Sequence, residues 1–444
     1  RGRIILVGVI GLKLKRNDFY EKELTFQVSC SYGPGRYDEN YEQKGIDYPI
    51  GFVRWTEKRN FEAVLRSISS GLIDVKSLIS EIIPLEEYEK IYTNLRREGI
   101  IASLLSYKGS TDKLRTVTLD HDSYEGKKGI IGLIGAGNFT SATIVPGLKS
   151  AGASIKTIAS SGGLTAKILA RKGGISNATS DYHEILNDPD IDTILIATRH
   201  NLHAKMVIES LSAEKNVFVE KPLCLNEEEL EAIIKTKAEH KDSQLYVGFN
   251  RRFAPLAIIA KNISGTGMMN IVVTMNAGYI PQNHWLNDLL VGGGRIIGEA
   301  CHLIDLCSFL TGNKIKSVAM TSMGVVPSAD TENASIFLKY ESGSNAVINY
   351  FSNGSKSYSK ERIEIYSQGK TVVVDNWRVL KSYGAKGTKT FRIRMDKGHK
   401  NQFKSFIEAI KTGQELVAFD EILNTTKASF AAIDSLKQGR WIDI

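Results

Sequence analysis

An apolar strand that runs directly into a glycine turn and then a helix occupies residues 129–150, GIIGLIGAGNFTSATIVPGLKS. Its Gly135-Ala136-Gly137 turn stands where a dinucleotide fingerprint is expected, after a strand and before a helix. Gly135 permits the tight turn, and Gly137 lets the backbone approach a pyrophosphate at the positive end of the helix. Thr140 replaces the third glycine of the fingerprint. The stretch favours a nucleotide site, although a lone GxG can also be a purely structural turn.

Strand and helix alternate strictly along residues 129–249, which predicts parallel βαβ units in a doubly wound sheet. The predicted strands are Ile130–Ile134, Ile155–Ala159, Thr193–Ala197, Asn216–Val219 and Gln244–Phe249, with helices such as Thr165–Lys172 and Ala204–Ala213 between them. From about residue 269 the pattern changes to β-rich runs separated by turns such as ESGSN and SQGK, which predicts an antiparallel sheet. An apolar-striped helix, Ile422–Leu436, is expected to close back against another domain.

The residues before the glycine turn are predicted to form a partial α/β segment. Ile4–Val9 is an unbroken aliphatic run, typical of a strand buried on both faces. A signal peptide is the alternative, but basic residues follow the run and no small-residue cleavage site does. Phe61–Ser70 and Leu85–Leu95 show apolar residues at helical spacing, and residues 114–128 are polar and turn-rich.

We therefore predict an α/β protein in which a Rossmann doubly wound parallel sheet precedes an α+β domain with a large open antiparallel sheet. The predicted boundaries are a partial segment at 1–118, a linker at 119–128, a dinucleotide-binding domain at 129–249 and a substrate and oligomerisation domain at 250–444. A length of 444 residues agrees with two or three domains.

Composition and charge exclude several classes of protein. The longest apolar runs are far shorter than the roughly 20 residues that span a bilayer, so no membrane segment is expected. The four cysteines form no CxxC pattern, which indicates a reducing, cytoplasmic location. The formal charge of +8 is scattered along the chain without a nucleic-acid motif, so we expect no nucleic-acid partner. A basic surface in solvent, or an enzyme for anionic ligands, explains the charge.

The cofactor is predicted to be NAD or NADP. No Asp or Glu lies between Gly137 and Asp181, so the acid that usually holds the adenosine ribose of NAD is missing. Ser160 and Ser161, at the end of the second strand, can donate to a ribose or a phosphate instead. Basic residues that can balance a 2′-phosphate follow them: Lys167, Arg171 and Lys172.

Two motifs at the ends of later strands carry a family resemblance. They are ATRHNLHAKM at 197–206 and VFVEKPLCLN at 217–226, and they are accompanied by GFNRRFAP at 248–255, HWLNDLLVGGGR at 284–295 and EACHLID at 299–305. Together they resemble the glucose-fructose oxidoreductase, inositol dehydrogenase and rhizopine-catabolism family of sugar dehydrogenases over residues 129–444. The resemblance implies hydride transfer between a nicotinamide and a hydroxyl-bearing carbon of a sugar, sugar nucleotide or cyclitol. It also implies a homodimer or homotetramer formed through the open sheet faces.

The resemblance places Lys221 at the family's active-site lysine and His302 at its catalytic histidine. An ammonium can stabilise a developing alkoxide, and an imidazole can accept the hydroxyl proton. A surface Glu-Lys pair and a structural histidine are the alternatives. Many members carry an aspartate four residues before the histidine, where this chain has Gly298. Glu299, three residues from His302 on a helix, can replace it, or Asp305 can orient the imidazole.

The remaining site residues are inferred from the same resemblance. Cofactor-lining positions are Asn138, Phe139, Thr198, Asn201 and Glu220, with His203 packed under the nicotinamide ribose. Substrate-side candidates are Arg251, Arg252, Tyr279, His284, Trp285 and Asp288, a cationic and aromatic wall that suits a sugar bearing a phosphate, carboxylate or nucleotide. Packing between domains is the alternative reading of these six. No metal site is expected, because His200 and His203 lack nearby Cys or carboxylate ligands.

The first 118 residues resemble the C-terminal end of medium-chain, alcohol-dehydrogenase-like oxidoreductases, through GRIILVGV and FEAVLRSISSGLIDVKSLISEIIPLEEYEKIYTNL. This implies that the chain is the C-terminal part of a longer polypeptide with two enzymes. The leading hypothesis is an NAD(P)-dependent sugar oxidoreductase with a small-molecule carbohydrate substrate. A non-catalytic sensor of the same fold is the competing hypothesis; Lys221 and His302 argue against it, and Gly298 argues for it.

Overall fold

The computed structural model describes residues 1–30, 32–93, 97–107, 115–119, 128–326, 328–384 and 387–444. The chain forms two compact units, Arg1–Lys113 and Leu114–Ile444. The second unit therefore begins before the predicted boundary at residue 118. Residues 120–127 of the predicted linker lie outside the described residues.

The first unit contains two separate two-stranded parallel sheets, β1–β2 and β3–β4. Its elements are β1 Arg3–Leu6, α1 Arg16–Tyr20, β2 Thr25–Val28, α2 Glu39–Glu42, α3 Glu57–Ser69, β3 Ile79–Pro84, α4 Glu89–Tyr92 and β4 Ala102–Ser106. The predicted helix Leu85–Leu95 is a 3₁₀ turn followed by the short α4, and its last two residues lie outside the described part.

The expected burial of Ile4–Val9 on both faces is wrong. Only Arg3–Leu6 form a strand, and Ile4 and Ile5 remain 42% and 49% exposed. The physical reason is that β1 pairs with β2 alone among the described strands, so no larger sheet surrounds it and the side chains of β1 stay exposed or half-buried.

A seven-stranded sheet, ordered β11-β10-β9-β6-β7-β8-β5, opens the second unit. Its elements are β5 Thr116–Thr118, β6 Ile130–Ile134, α5 Val145–Ser150, β7 Ser154–Ala159, α6 Leu164–Gly173, β8 Asn177–Thr179, α7 His183–Leu186, β9 Thr193–Ile196, α8 His203–Ser212, β10 Asn216–Val219, α9 Glu227–Glu239 and β11 Leu245–Val247. All pairings are parallel except β5 with β8. The predicted Rossmann sheet is confirmed, and its carboxyl ends meet at one edge.

A nine-stranded sheet, ordered β19-β18-β17-β16-β12-β15-β14-β13-β20, follows. Its strands are β12 Asn270–Asn276, β13 Ile315–Ser322, β14 Asn333–Tyr340, β15 Asn345–Phe351, β16 Glu361–Ser367, β17 Lys370–Asp375, β18 Val379–Tyr383, β19 Lys389–Arg392 and β20 Ile442–Asp443. The predicted antiparallel sheet is confirmed with one exception, the parallel pair β12–β15. Alternating burial along β12, β14 and β15 places the core on one face of the sheet.

Four helices cover that core face or return to the first sheet: α10 Pro255–Ser264, α11 Cys301–Thr311, α12 His399–Thr412 and α13 Phe419–Gln438. α12 packs Phe403 and Phe406 against Phe218 of β10. α13 contributes Phe430 to the core of the Rossmann sheet and Ala428 to that of the nine-stranded sheet. The second unit is thus closed by its C-terminal helices, as predicted. Among the described helices, none has the length and apolar character needed to cross a bilayer.

Candidate active site

The glycine turn has the geometry that a bound pyrophosphate needs. Gly135 has φ +109°, and a Cβ there would lie 2.4 Å from the Ala197 carbonyl oxygen, so only glycine fits. A Cβ on Gly137 would meet no atom within 4 Å, so the space beside this glycine is open. Thr140 is buried and donates its hydroxyl to the Gly135 carbonyl at 2.8 Å. Thr140, which replaces the third glycine of the fingerprint, therefore stabilises the turn through this hydrogen bond.

The open side of the turn is formed by Asn138 and Phe139, both exposed. The Phe139 ring lies edge-on to His399, the first residue of α12, with 5.7 Å between ring centroids. Burial and the nearby Arg251 and Lys397 lower the pKa of His399 to about 4, so its ring is neutral at pH 7.

Ser160 and Ser161 differ in their availability at the end of β7. The Ser160 hydroxyl oxygen accepts from the Ala166 amide at 3.2 Å and from the Thr165 hydroxyl at 2.9 Å, so it is engaged at the start of α6. Ser161 is exposed. Of the two, Ser161 is the hydroxyl that is free to meet a ribose or a phosphate.

The segment after β9 supplies a structural histidine. His203 is fully buried, with Nδ1 2.7 Å from the Pro222 carbonyl and Nε2 3.3 Å from the Thr198 carbonyl. Burial lowers its pKa to about 4, so the ring is neutral and joins this segment to the one after β10. The Asn201 side chain is exposed, and the backbone N–H of Asn201 donates to the Val291 carbonyl at 3.1 Å.

Glu220 and Lys221 lie at the carboxyl end of β10, as predicted. Burial raises the pKa of Glu220 to about 7, against the opposing effect of Lys221. Lys221 precedes a cis peptide bond to Pro222, and its Nζ donates to the Gly298 carbonyl at 2.7 Å. The interpretation as a surface Glu-Lys pair is wrong, because the ammonium bonds to a backbone segment 77 residues away.

Gly298 is closely surrounded. A Cβ there would lie 2.8 Å from the Gly292 carbonyl oxygen and 3.2 Å from Cε1 of His200. His200 is buried, holds the same Gly292 carbonyl through Nδ1 at 2.7 Å and packs edge-on against Trp285. Lys221 is therefore held by a segment with no room for a side chain at residue 298.

Glu299 lies in a widened helical turn, Ile296–Ala300, that leads into α11. Its carboxylate is 2.7 Å from Nε of Arg295 and accepts a hydrogen bond from the Tyr350 hydroxyl. Burial would raise its pKa, but Lys221, Arg295 and Tyr350 lower it below the usual value. Arg295 and Tyr350 thus fix the Glu299 carboxylate, which makes no hydrogen bond to His302 among the described residues.

His302 lies on the first turn of α11. Its Nδ1 is buried without a hydrogen-bond partner among the described residues, and its ring packs edge-on to Phe249. Burial, followed by the charges of Arg251 and Lys221, holds its pKa well below the usual value. The imidazole is therefore neutral at pH 7, the form that can accept a proton.

Asp305 does not orient His302. Its buried carboxylate receives two hydrogen bonds from Arg252, at 3.0 and 2.6 Å, and Arg252 also reaches Glu421 at 3.1 Å. The physical reason is that a planar guanidinium matches a carboxylate in a bidentate pair, and this pair is shut away from solvent. Arg252 is likewise removed from the substrate side.

Arg251 is also committed to the protein. It donates to the buried Glu361 carboxylate through Nε and Nη2, at 3.2 and 3.1 Å. Trp377 and Lys397 donate to the same carboxylate at 2.7 and 2.6 Å. Burial would raise the pKa of Glu361, but Arg251 and Lys397 lower it to about 2.

Two of the predicted substrate-side residues, Tyr279 and His284, are exposed. Trp285 packs edge-on against His200, and the guanidinium of Arg199 lies 5.7 Å from the centroid of the Trp285 ring. The Asp288 carboxylate instead receives the Leu290 amide at 2.9 Å and closes a local turn.

Several residues near the site were not singled out from the sequence: Tyr350, Glu361, Lys360, Lys397 and His399. Tyr350 and Glu361 occupy ordinary inward positions of their strands. The strand pairing of the folded sheet places both of them beside Met275, which the sequence alone does not show. Among the described residues no His, Cys, Asp and Glu cluster could hold a metal ion.

Family comparisons agree with this geometry. Residues 130–249 match the family model described as an oxidoreductase family with an NAD-binding Rossmann fold, and residues 266–373 match the C-terminal domain model of the same family. The chain belongs to the GFO/IDH/MocA family of oxidoreductases. It is an oxidoreductase with a nicotinamide-dinucleotide domain, and its glycine turn fits that cofactor.

Two curated relatives match this GFO/IDH/MocA protein over most of their own length. A myo-inositol 2-dehydrogenase of Thermotoga maritima is 25% identical over 62% of this chain and 86% of the relative. An inositol 2-dehydrogenase of Rhizobium meliloti is 27% identical over 70% of this chain and 98% of the relative. A levoglucosan dehydrogenase structure with NADH and levoglucosan has the same fold, with a TM-score of 0.63 at 21% identity, covering 71% of this chain and 99% of that one.

Proposed function

We propose that the chain is a dehydrogenase that transfers hydride between nicotinamide and a hydroxyl-bearing carbon of a sugar, sugar nucleotide or cyclitol. The observation that carries this proposal is the contact of Lys221 with Gly298, four residues before His302, at the carboxyl edge of the Rossmann sheet. Relatives named as inositol dehydrogenases support the substrate class. NAD is the proposed cofactor, and NADP is tested beside it.

We propose that the Lys221 ammonium contacts the reacting oxygen of the substrate. During oxidation the substrate carbon loses a hydride and its hydroxyl loses a proton, which leaves a carbonyl. When bound, the nicotinamide supplies the hydride acceptor. The Lys221 ammonium stabilises the negative charge that develops on the oxygen, because a fixed donor in a shielded site needs no reorganisation.

His302 is the proposed proton acceptor, through Nε2, because Nδ1 is buried. Its neutral form predominates at pH 7, so the base is available before the substrate binds. Glu299 is the proposed replacement for the family's aspartate. It acts as a positioning residue whose charge lies near Lys221 while Arg295 and Tyr350 fix its carboxylate.

The test is a comparison of Lys221→Met and His302→Asn with the wild type. We expect NADH binding, measured by fluorescence, to stay within about threefold, while kcat for a turned-over sugar or cyclitol falls at least about a hundredfold. Lys205→Met, an exposed lysine on α8, is the matched control. NADH binding without turnover of any sugar or cyclitol would favour the sensor hypothesis. Absence of NAD and NADP binding would overturn both.

We also propose that the first unit is the partial C-terminal piece of a medium-chain dehydrogenase, within a two-enzyme polypeptide. Its exposed apolar strands support this, since Ile5 is 49% and Val28 53% exposed. Hydrogen exchange on the full chain tests it: amides of β1 and β2 should exchange far faster than those of β6. Equal protection in these strands would contradict a partial fold.

Association through the outer face of the nine-stranded sheet is the third proposal. This face exposes aromatic side chains that a partner can cover, among them Phe337, Phe351 and Tyr366, which are 37%, 36% and 42% exposed. Light scattering should give the mass of a dimer or tetramer, and Phe337→Lys should reduce it. A monomer at micromolar concentration would refute the proposal.

A further inference from the structure

Lys360 is a lysine at the site end of the nine-stranded sheet. It immediately precedes β16, and its carbonyl accepts the Asn276 amide at 2.8 Å, where β12 ends. The next rung of this sheet holds Tyr350 and Glu361, whose side chains contact Glu299 and Arg251. Lys360 therefore lies at the same end of the sheet as the catalytic candidates.

The carboxylates around Lys360 are already bound by other groups. Glu361 receives Arg251, Trp377 and Lys397, and no oxygen of it lies within 4.0 Å of the Lys360 ammonium. Glu299 is bound by Arg295 and the Tyr350 hydroxyl. Throughout the described part of the chain, no carboxylate pairs with Lys360 within that distance.

A second ammonium of the site lacks a carboxylate partner too. Lys221 is held by the Gly298 carbonyl, a neutral acceptor, and no described carboxylate lies within 4.0 Å of it. The Lys360 side chain is exposed. Partial desolvation and the charge of Lys397 lower its pKa, while the charges of Glu299 and Glu361 act in the opposite direction. Glu299 and Glu361 are each already paired with an arginine. Lys360 and Lys397 therefore leave this end of the site with more positive than negative charge, which an anionic substituent can balance.

We propose that the substrate of this site carries an anionic substituent, a carboxylate or a phosphate, and that the Lys360 ammonium binds it. The inference rests on the proposed function and specifies its substrate class. Charge-assisted hydrogen bonds to carboxylate or phosphate are short and strong, so one such contact can separate an anionic sugar from its neutral analogue. Lys221 contacts the reacting oxygen, and Lys360 binds the anionic substituent.

The experiment measures NAD⁺-dependent initial rates for four sugars that share one ring: glucose, glucuronate, glucose 6-phosphate and UDP-glucose. The variants are Lys360→Met and the control Lys381→Met, an exposed lysine on β18 with the same charge change. We expect wild-type kcat/KM to be about tenfold or more higher for at least one anionic sugar than for glucose. The three anionic sugars distinguish a carboxylate from a phosphate monoester and a nucleotide diphosphate.

Lys360→Met should remove most of that preference through KM, with kcat nearly unchanged and glucose unaffected, whereas Lys381→Met should behave as wild type. Added salt should raise KM for the anionic sugar only. Glucose turned over as efficiently as every anionic sugar would overturn this inference and leave the proposed function intact. An anionic preference that survives Lys360→Met would also overturn it. No turnover of any of the four sugars or of a cyclitol, with NADH still bound, would overturn both proposals.

Discussion

Replacement of Glu361 by Gln tests the charge network that supports the site. The Glu361 carboxylate is fully buried and receives hydrogen bonds from Arg251, Trp377 and Lys397. Glutamine keeps the shape but removes the charge, so the buried Arg251 and the half-buried Lys397 lose their shared anion. Breaking a buried ion pair by removing one partner costs about 3–5 kcal/mol.

The pKa of Glu361 gives an independent magnitude. It is about 2 in the folded protein, below the ordinary value of 4.5, and the difference is equivalent to about 3 kcal/mol of stability at pH 7. Because the folded pKa is lowered, this stability is fully present above the unfolded pKa and is lost as the pH falls toward 2. The difference between wild type and Glu361→Gln should therefore shrink from about 3 kcal/mol at pH 7 to about 1 kcal/mol at pH 3.

Urea unfolding followed by circular dichroism measures the free energy at each pH. The matched control is Glu364→Gln, on the same strand but on the opposite face, where the carboxylate pairs with Arg362 at the surface. A surface pair contributes at most about 1 kcal/mol, so this control should change little. Equal free energies of unfolding for the two variants at pH 7 would refute the reasoning.

Three further predictions concern separate parts of the site. Gly137→Ala should fold as the wild type does, because its Cβ meets no atom within 4 Å, but NADH binding by fluorescence should weaken at least about tenfold; unchanged affinity would contradict the pyrophosphate position. Arg252→Met should lower the free energy of unfolding by about 3–5 kcal/mol, because Asp305 is left buried without its cation, and thermal unfolding near that of wild type would contradict the pairing. The kcat/KM of oxidation should show no acid limb centred near pH 6.5, because the lowered pKa of His302 keeps it neutral there in the free enzyme; such a limb, if abolished in His302→Asn, would contradict this.

The sequence could predict what continuous local patterns encode. Ile130–Ile134 and Asn216–Val219 were predicted with the observed bounds, because an apolar run between turn residues allows little else in a parallel sheet. Lys221 could be placed at this edge of the sheet for the same reason: it lies two residues after the end of a strand. Ile4–Val9 has the same kind of apolar run, but the strands that would bury it are not among the described elements.

Side-chain pairing across long sequence separation could not be predicted. Asp305 stands three residues from His302 on a helix, which suggested a contact, but its partner Arg252 is 53 residues away. Helical spacing shows which side chains can share a face of the helix. It does not show which cation from another element pairs with one of them. Tyr350 and Glu361 were missed because alternation along a strand marks a residue as inward-facing without showing its partners.

Gly298 illustrates how such packing changes the meaning of a substitution. The position argued for a sensor when read against the family's aspartate, since a carboxylate is lost there. In the structure the residue has no room for any side chain, and its carbonyl holds Lys221 at 2.7 Å. A neutral carbonyl fixes the ammonium in position without cancelling its charge, so the charge remains available to a developing alkoxide. Glycine at this position is therefore compatible with the proposed catalysis, in which Glu299, the next residue, is the proposed anionic group.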